Sequence, residues 1–113
     1  MSEQTVRDIR VNGVRLRVTE QGGGPLVLLC HGWPELGYAW RHQLPALAEA
    51  GFHAVAPDMR GFGASDAPAD ASAYSILHTV GDVVGLVAAL GHAQAVIVGH
   101  DWGAPTAWNA ALL

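Results

Sequence analysis

The sequence predicts an α/β fold with a mainly parallel sheet, and three observations carry that reading. The apolar runs Leu26–Cys30, Phe52–Ala56 and Ala95–Val98 are too short for helices and lack polar alternation, as strands buried on both faces do. Stretches with helical spacing separate them, which favours strand–helix units over a sandwich. Alternating segments on either side of Asn12-Gly13 add a hairpin near the N-terminus.

Each element has its own local signal. Ile9 and Val11 alternate with polar neighbours before Asn12-Gly13, and Val14, Leu16 and Val18 alternate with Arg15 and Arg17 after it, so residues 5–18 read as the hairpin. Gly22-Gly23-Gly24-Pro25 reads as a flexible turn, because no Lys-Ser/Thr pair follows to make it a phosphate loop. Trp40, Leu44 and Leu47 recur at i, i+4, i+7 and Gly51 closes the pattern, while Pro45 within it predicts a kink or a break into two short helices. Pro57 stops the second apolar run, and residues 58–73 read as an excursion loop. Ile76–Leu90 is a helix with the stripe Leu77, Val80, Val84, Val87 and Leu90, with Ser75 as N-cap and Gly91 as its end. The third strand runs into Gly99-His100-Asp101-Trp102-Gly103, after which a helix resumes through Ala107 and Ala111.

Composition excludes several classes of function. Charged residues are 14% of the chain, against roughly 25% in a typical soluble domain. There is no lysine, the six arginines all fall between Arg7 and Arg60, and the net charge is −4, so a phosphate-binding nucleic-acid module is not expected. The single cysteine, Cys30, excludes a disulfide framework within the chain. No apolar run approaches the ~20 residues of a membrane span. The first residues lack the basic and apolar regions of a signal peptide, so a soluble cytoplasmic product without membrane attachment is expected. From Val83 to Leu113 the only formal charge is Asp101, and the chain closes on Ala110-Ala111-Leu112-Leu113 without a cap. An apolar stretch of that kind suits a larger body, so residues 1–113 are expected to be the N-terminal part of a longer fold. A complete miniature domain is the alternative.

The stretch that carries chemistry is the strand–turn–helix at residues 99–103. It has the outline of a nucleophile elbow, with small residues two positions either side of the nucleophile where backbones must pass closely. The central residue is Asp101 in place of serine. A serine that attacked an sp3 carbon would leave an ether, whereas a carboxylate leaves an ester that water can cleave. Asp101 therefore points to an sp3 electrophile with a leaving group, such as an epoxide or an alkyl halide. The plainer reading is an aspartate that caps the following helix. His31-Gly32-Trp33-Pro34-Glu35 follows the first buried strand, where an elbow hydrolase places its other oxyanion donor. The backbone N–H groups of Trp33 and Trp102 are the candidate donors to the carbonyl oxygen of an ester on Asp101. Taken alone, that loop reads equally as an ordinary Gly-Pro turn.

In this order and spacing, HGWPE, Trp40, APDMRGFGASDAP and VGHDWGA resemble the N-terminal part of epoxide hydrolases of the α/β-hydrolase fold, over residues 5–113. The resemblance implies the N-terminal part of a core domain with a mostly parallel sheet, an N-terminal hairpin and flanking helices, cut after the elbow. It implies Asp101 as the alkylated nucleophile, Trp33 and Trp102 as oxyanion-hole amides, a cis peptide before Pro34, and residues 58–66 as a structural loop. The substrate would be a small-molecule epoxide, and no cofactor or metal is implied. Haloalkane and haloacetate dehalogenases share the aspartate elbow. The former usually carry Asn or Glu where Trp33 stands and the latter Arg where Trp102 stands, so the epoxide reading leads. A non-catalytic remnant or interaction module is the third reading.

Other patterns carry less. Gly63-Ala64-Ser65-Asp66-Ala67 fits a serine elbow but has no apolar strand directly before it. In Gly61-Phe62-Gly63, Asp66 stands where a dinucleotide motif needs its third glycine. The six histidines show no metal-ligand spacing. His42 and His78 read as surface residues, His31 and His100 as structural hydrogen-bonders around the elbow, and Cys30 as inert packing. The twelve residues after Asp101 contain neither an acid nor a histidine, and Tyr38 and Tyr74 lie outside any cap segment. The chain alone is therefore expected not to turn over. Its last strand is expected to present an unpaired edge, which favours aggregation.

Overall fold

The computed structural model describes residues 3–33 and 35–112. Strands β1 (Thr5–Val11) and β2 (Val14–Gln21) form the antiparallel hairpin, with Asn12 at φ 49° and Gly13 at φ 79°. Two successive positive φ values are what a turn matched to strand twist requires, and Asn-Gly adopts them at least cost. Strands β3 (Leu26–Cys30), β4 (His53–Pro57) and β5 (Ala95–Gly99) are the three apolar runs, and the sheet order is β1-β2-β4-β3-β5. β3 lies parallel to both β4 and β5, and β4 pairs antiparallel with β2. The α/β class holds.

Side chains of β3 alternate between two cores. Leu26, Leu28 and Cys30 join Leu16, Val18 and Val55 under helix α2 (Ile76–Ala89), whereas Val27 and Leu29 join Leu44, Ala54 and Ala56 under helix α1 (Gln43–Glu49). Helices thus cover opposite faces. From β3 the chain crosses to β4 on one side, and from β4 it crosses back over to β5 on the other. This is a topological switch point at the C-terminal ends of β3 and β5, where open α/β sheets bind ligands. Helix α3 (Gly103–Leu112) follows β5 and packs on α2.

The helical stretch before Gly51 is broken into two short helices, one of the two outcomes expected around Pro45. A 3-10 turn spans Gly37–Trp40, α1 starts at Gln43, and Pro45 falls in its first turn, where the missing N–H has no intrahelical partner to lose. One detail departs from the sequence reading. On α2 the buried side chains are Val80, Asp82, Val83 and Leu86, while Leu77 is 69% and Val84 53% exposed. The helix is rotated from the expected stripe because Asp82 turns inward to meet Arg60. Strand β5, expected both to be apolar on its two faces and to present an unpaired edge, is half-exposed, because in the described sheet it pairs only with β3 and stands at the edge.

Among the described residues no helix is long and apolar enough to cross a membrane, and no cluster of three or more His, Cys, Asp or Glu could hold a metal ion.

Candidate active site

Parallel pairing places Cys30 beside Gly99, so the loops that leave β3 and β5 emerge side by side. Close packing at the elbow demands glycine. A Cβ on Gly99 would lie 2.3 Å from the Gly103 carbonyl oxygen, and one on Gly103 would lie 2.3 Å from the Cys30 carbonyl oxygen. A Cβ on Gly32 would lie 2.5 Å from Cβ of Asp101. Between these contacts Asp101 is held at φ 57°, in the left-handed region. Asp and Asn tolerate that region better than other non-glycine residues, yet it remains strained. The side chain is thereby lifted to the surface at the start of α3.

The carboxylate meets one backbone donor across the loops: the Trp33 N–H donates to Oδ2 with N···O 3.1 Å, and the adjacent Trp102 N–H adds to the electrostatic stabilisation of the charged form. The two amides, Trp33 first and Trp102 second, hold the Asp101 carboxyl below its ordinary value of 3.8, and the His100 ring adds to the shift. The Trp33 amide singled out from the sequence is therefore brought to Asp101, beside which Trp102 follows directly in the chain. The side chains of Trp33 and Trp102 are exposed, and both line a cavity of about 300 Å3. Its wall is mainly apolar, with Met59, Phe62, Ile76 and Pro105, and its floor holds Thr106 and Arg60. Pro34, with its expected cis bond, lies outside the described residues.

Several polar groups beneath the site are engaged with one another. Arg60 and Asp82 form a buried bidentate pair, Nε–Oδ2 and Nη2–Oδ1 both 2.7 Å, and Asn12 donates to the same Oδ1. Arg60 also donates to the Ala73 carbonyl, just before α2, so one guanidinium ties the loop after β4 both to α2 and to the turn that precedes it. Asp58 accepts from the Gly37 and Ala64 amides, and Ser65 bridges the Asp58 carbonyl and the Arg17 amide. Ser65 is thus a buried structural residue. Cys30 is buried, which pushes its thiol up to about 12. His42 is exposed, and His78 is half-buried against Ser75.

Two groups at the site had no role assigned from the sequence. Glu35 Oε1 accepts from the Gly32 N–H at 3.0 Å and lies 3.3 Å from His100 Nδ1, joining the two loops. The Arg60–Asp82 pair was also unforeseen. Glu35 had a signal, a carboxylate three residues after a loop glycine, whereas 22 positions separate Arg60 from Asp82 and no local pattern links them.

The carboxylate thus stands on a sharp strand-to-helix turn, at the switch point of a parallel sheet, with a backbone amide of the neighbouring loop directed at it. Residues 25–113 match the family model described as alpha/beta hydrolase fold, and the chain belongs to that family. It is 62% identical over 106 residues to an epoxide hydrolase of Caballeronia sordidicola, covering 94% of this chain and 32% of the relative. It is 55% identical over 115 residues to epoxide hydrolase A of Mycobacterium tuberculosis, covering 100% of this chain and 36% of that one. The crystal structure of an epoxide hydrolase from Vigna radiata superposes with TM-score 0.96 at 50% identity, over 98% of this chain and 36% of that chain. The chain spans about a third of the length of these relatives.

Proposed function

We propose that residues 1–113 are the N-terminal part of an epoxide hydrolase core and carry its nucleophile. Asp101 attacks an epoxide carbon, the carbon–oxygen bond of the ring breaks, and the released oxygen takes a proton from an acid outside these residues. Water, activated by a base also outside them, then attacks the carbonyl carbon of the resulting ester. The charge that develops on Oδ2 is stabilised by the N–H groups of Trp33 and Trp102. A vicinal diol leaves and the carboxylate is restored, so a molecule of water is the only co-reactant.

The observation that carries this reading is the Trp33 N–H placed 3.1 Å from Asp101 Oδ2 on a left-handed elbow. A capping aspartate needs only its own helix amides, not a donor from another loop. The substrate is a small epoxide whose apolar substituent enters the 300 Å3 cavity beside the elbow. Residues 1–113 alone supply neither the acid nor the base and do not turn over.

The test uses the full-length polypeptide that carries these residues, with styrene oxide and a haloalkane as substrates. One turnover in heavy-oxygen water is expected to label the Asp101 side chain, and Asp101→Asn to abolish diol formation. An unlabelled side chain, or halide release without diol formation, refutes the reading.

A further inference from the structure

The peptide plane that carries the Trp33 N–H has a second end. In a trans peptide the carbonyl oxygen and the N–H project in opposite directions from one rigid unit. The Gly32 carbonyl belongs to that unit and accepts twice, from the Glu35 N–H at 2.9 Å and from His31 Nδ1 at 2.8 Å. The other ring nitrogen of His31, Nε2, lies 2.9 Å from the Met59 backbone nitrogen. A backbone amide nitrogen only donates, so Nε2 is an acceptor and the neutral ring carries its proton on Nδ1. His31 is 2% exposed and meets Phe62 edge-on at 5.1 Å between ring centroids, so the ring is held against rotation. The Met59 amide, in the loop after β4, thus selects the tautomer that grips the Gly32 carbonyl.

We propose that His31 is a positioning residue: its Nδ1–H fixes the Gly32–Trp33 peptide plane and so aims the Trp33 N–H at Asp101. The step it assists rests on the epoxide-hydrolase reading above. Oδ2, the oxygen that faces Trp33, remains the carbonyl oxygen when the other oxygen is alkylated. Negative charge develops on it only when water attacks the ester. A misaimed Trp33 N–H therefore slows hydrolysis of the ester more than its formation. His31 touches neither the carboxylate nor substrate. It acts through one peptide unit, and that unit also links the loop after β4 to the elbow.

The experiment again uses the full-length polypeptide. Nitrogen NMR of the His31 ring is expected to find Nδ1 protonated and Nε2 bare, and the reverse tautomer overturns the proposal. His31→Gln sets an oxygen where Nε2 sits, which keeps the Met59 bond and removes the donor to Gly32. His31→Asn sets an amide nitrogen where Nδ1 sits, which keeps that donor and removes the Met59 acceptor. His31→Gln is expected to lower kcat on the order of 10-fold, part of the ~10²–10³ that a whole oxyanion donor is worth. Its kcat/KM, which reports ester formation, holds, and the Trp33 amide proton resonance moves. His31→Asn is expected to restore kcat to within a few fold of wild type. Equal losses of kcat and kcat/KM in both variants, in step with their melting temperatures, indicate packing alone and overturn the proposal. Should Asp101→Asn leave hydrolysis intact, the functional reading fails, while the ring tautomer and the Trp33 resonance still decide the positioning.

Discussion

Gly32→Ala tests the elbow where it is tightest. The added methyl would sit 2.5 Å from Cβ of Asp101, 2.8 Å from Oε1 of Glu35 and 3.0 Å from the His100 carbonyl oxygen. Glu35 can swing aside, but Asp101 and His100 belong to a turn already wedged between Gly99 and Gly103. Restoring ordinary contact at 3.4 Å or more forces the two loops apart by roughly 1 Å. The Trp33 N···Oδ2 distance, 3.1 Å at rest, then reaches about 4 Å, which is no longer a hydrogen bond. Loss of one oxyanion donor slows turnover on the order of 10²–10³-fold. Single-turnover fluorescence of Trp33 and Trp102 in the full-length polypeptide separates ester formation from ester hydrolysis, and hydrolysis is expected to bear most of the loss. If hydrolysis stays within about threefold of wild type, under ~1 kcal/mol of barrier, the Trp33 amide is not the donor that matters.

Three further outcomes follow from the same structure. The Asp101 carboxyl is held below 3.8 by the neighbouring amides, Trp33 first, so its stabilising contribution is present above that pH and is lost as pH falls through the lower folded value. Carbon NMR titration is expected to find the midpoint under 3.8, and a midpoint above it contradicts the amide contacts. Asp82→Asn leaves the buried Arg60 guanidinium without a counter-charge and is expected to cost about 3–5 kcal/mol in denaturant unfolding. Replacing both partners, Arg60→Met with Asp82→Leu, is expected to recover most of that loss. Cys30, with its thiol pushed up to about 12 by burial, is expected to resist iodoacetamide in the native protein and to react only after unfolding.

What the sequence made legible was local. The Asn12-Gly13 turn, the three apolar runs and the glycines flanking Asp101 each state their geometry within five or six residues, and the structure places them accordingly. The proximity of Trp33, Trp102 and Asp101 could be read because a parallel sheet sets the C-terminal ends of β3 and β5 side by side. Helix α2 was misread for the opposite reason. It is apolar around most of its circumference, so periodicity alone does not say which arc faces the sheet. Its rotation is set by the inward Asp82, whose partner Arg60 lies in a loop with no period at all. Strand β5 has the composition of an interior strand and the position of an edge. Composition reports what a segment can tolerate, whereas exposure depends on which neighbours surround it.

On the function proposed above, the left-handed backbone at Asp101 sets durability against reactivity at one residue. Holding a non-glycine side chain there costs about 1–2 kcal/mol, a penalty that glycine would not incur. Selection for thermal robustness alone would favour Asp101→Gly, which relaxes the turn and leaves a sturdier scaffold without its reactive oxygen. A library screened only for survival on heating would drift toward well-folded, inert proteins at this position.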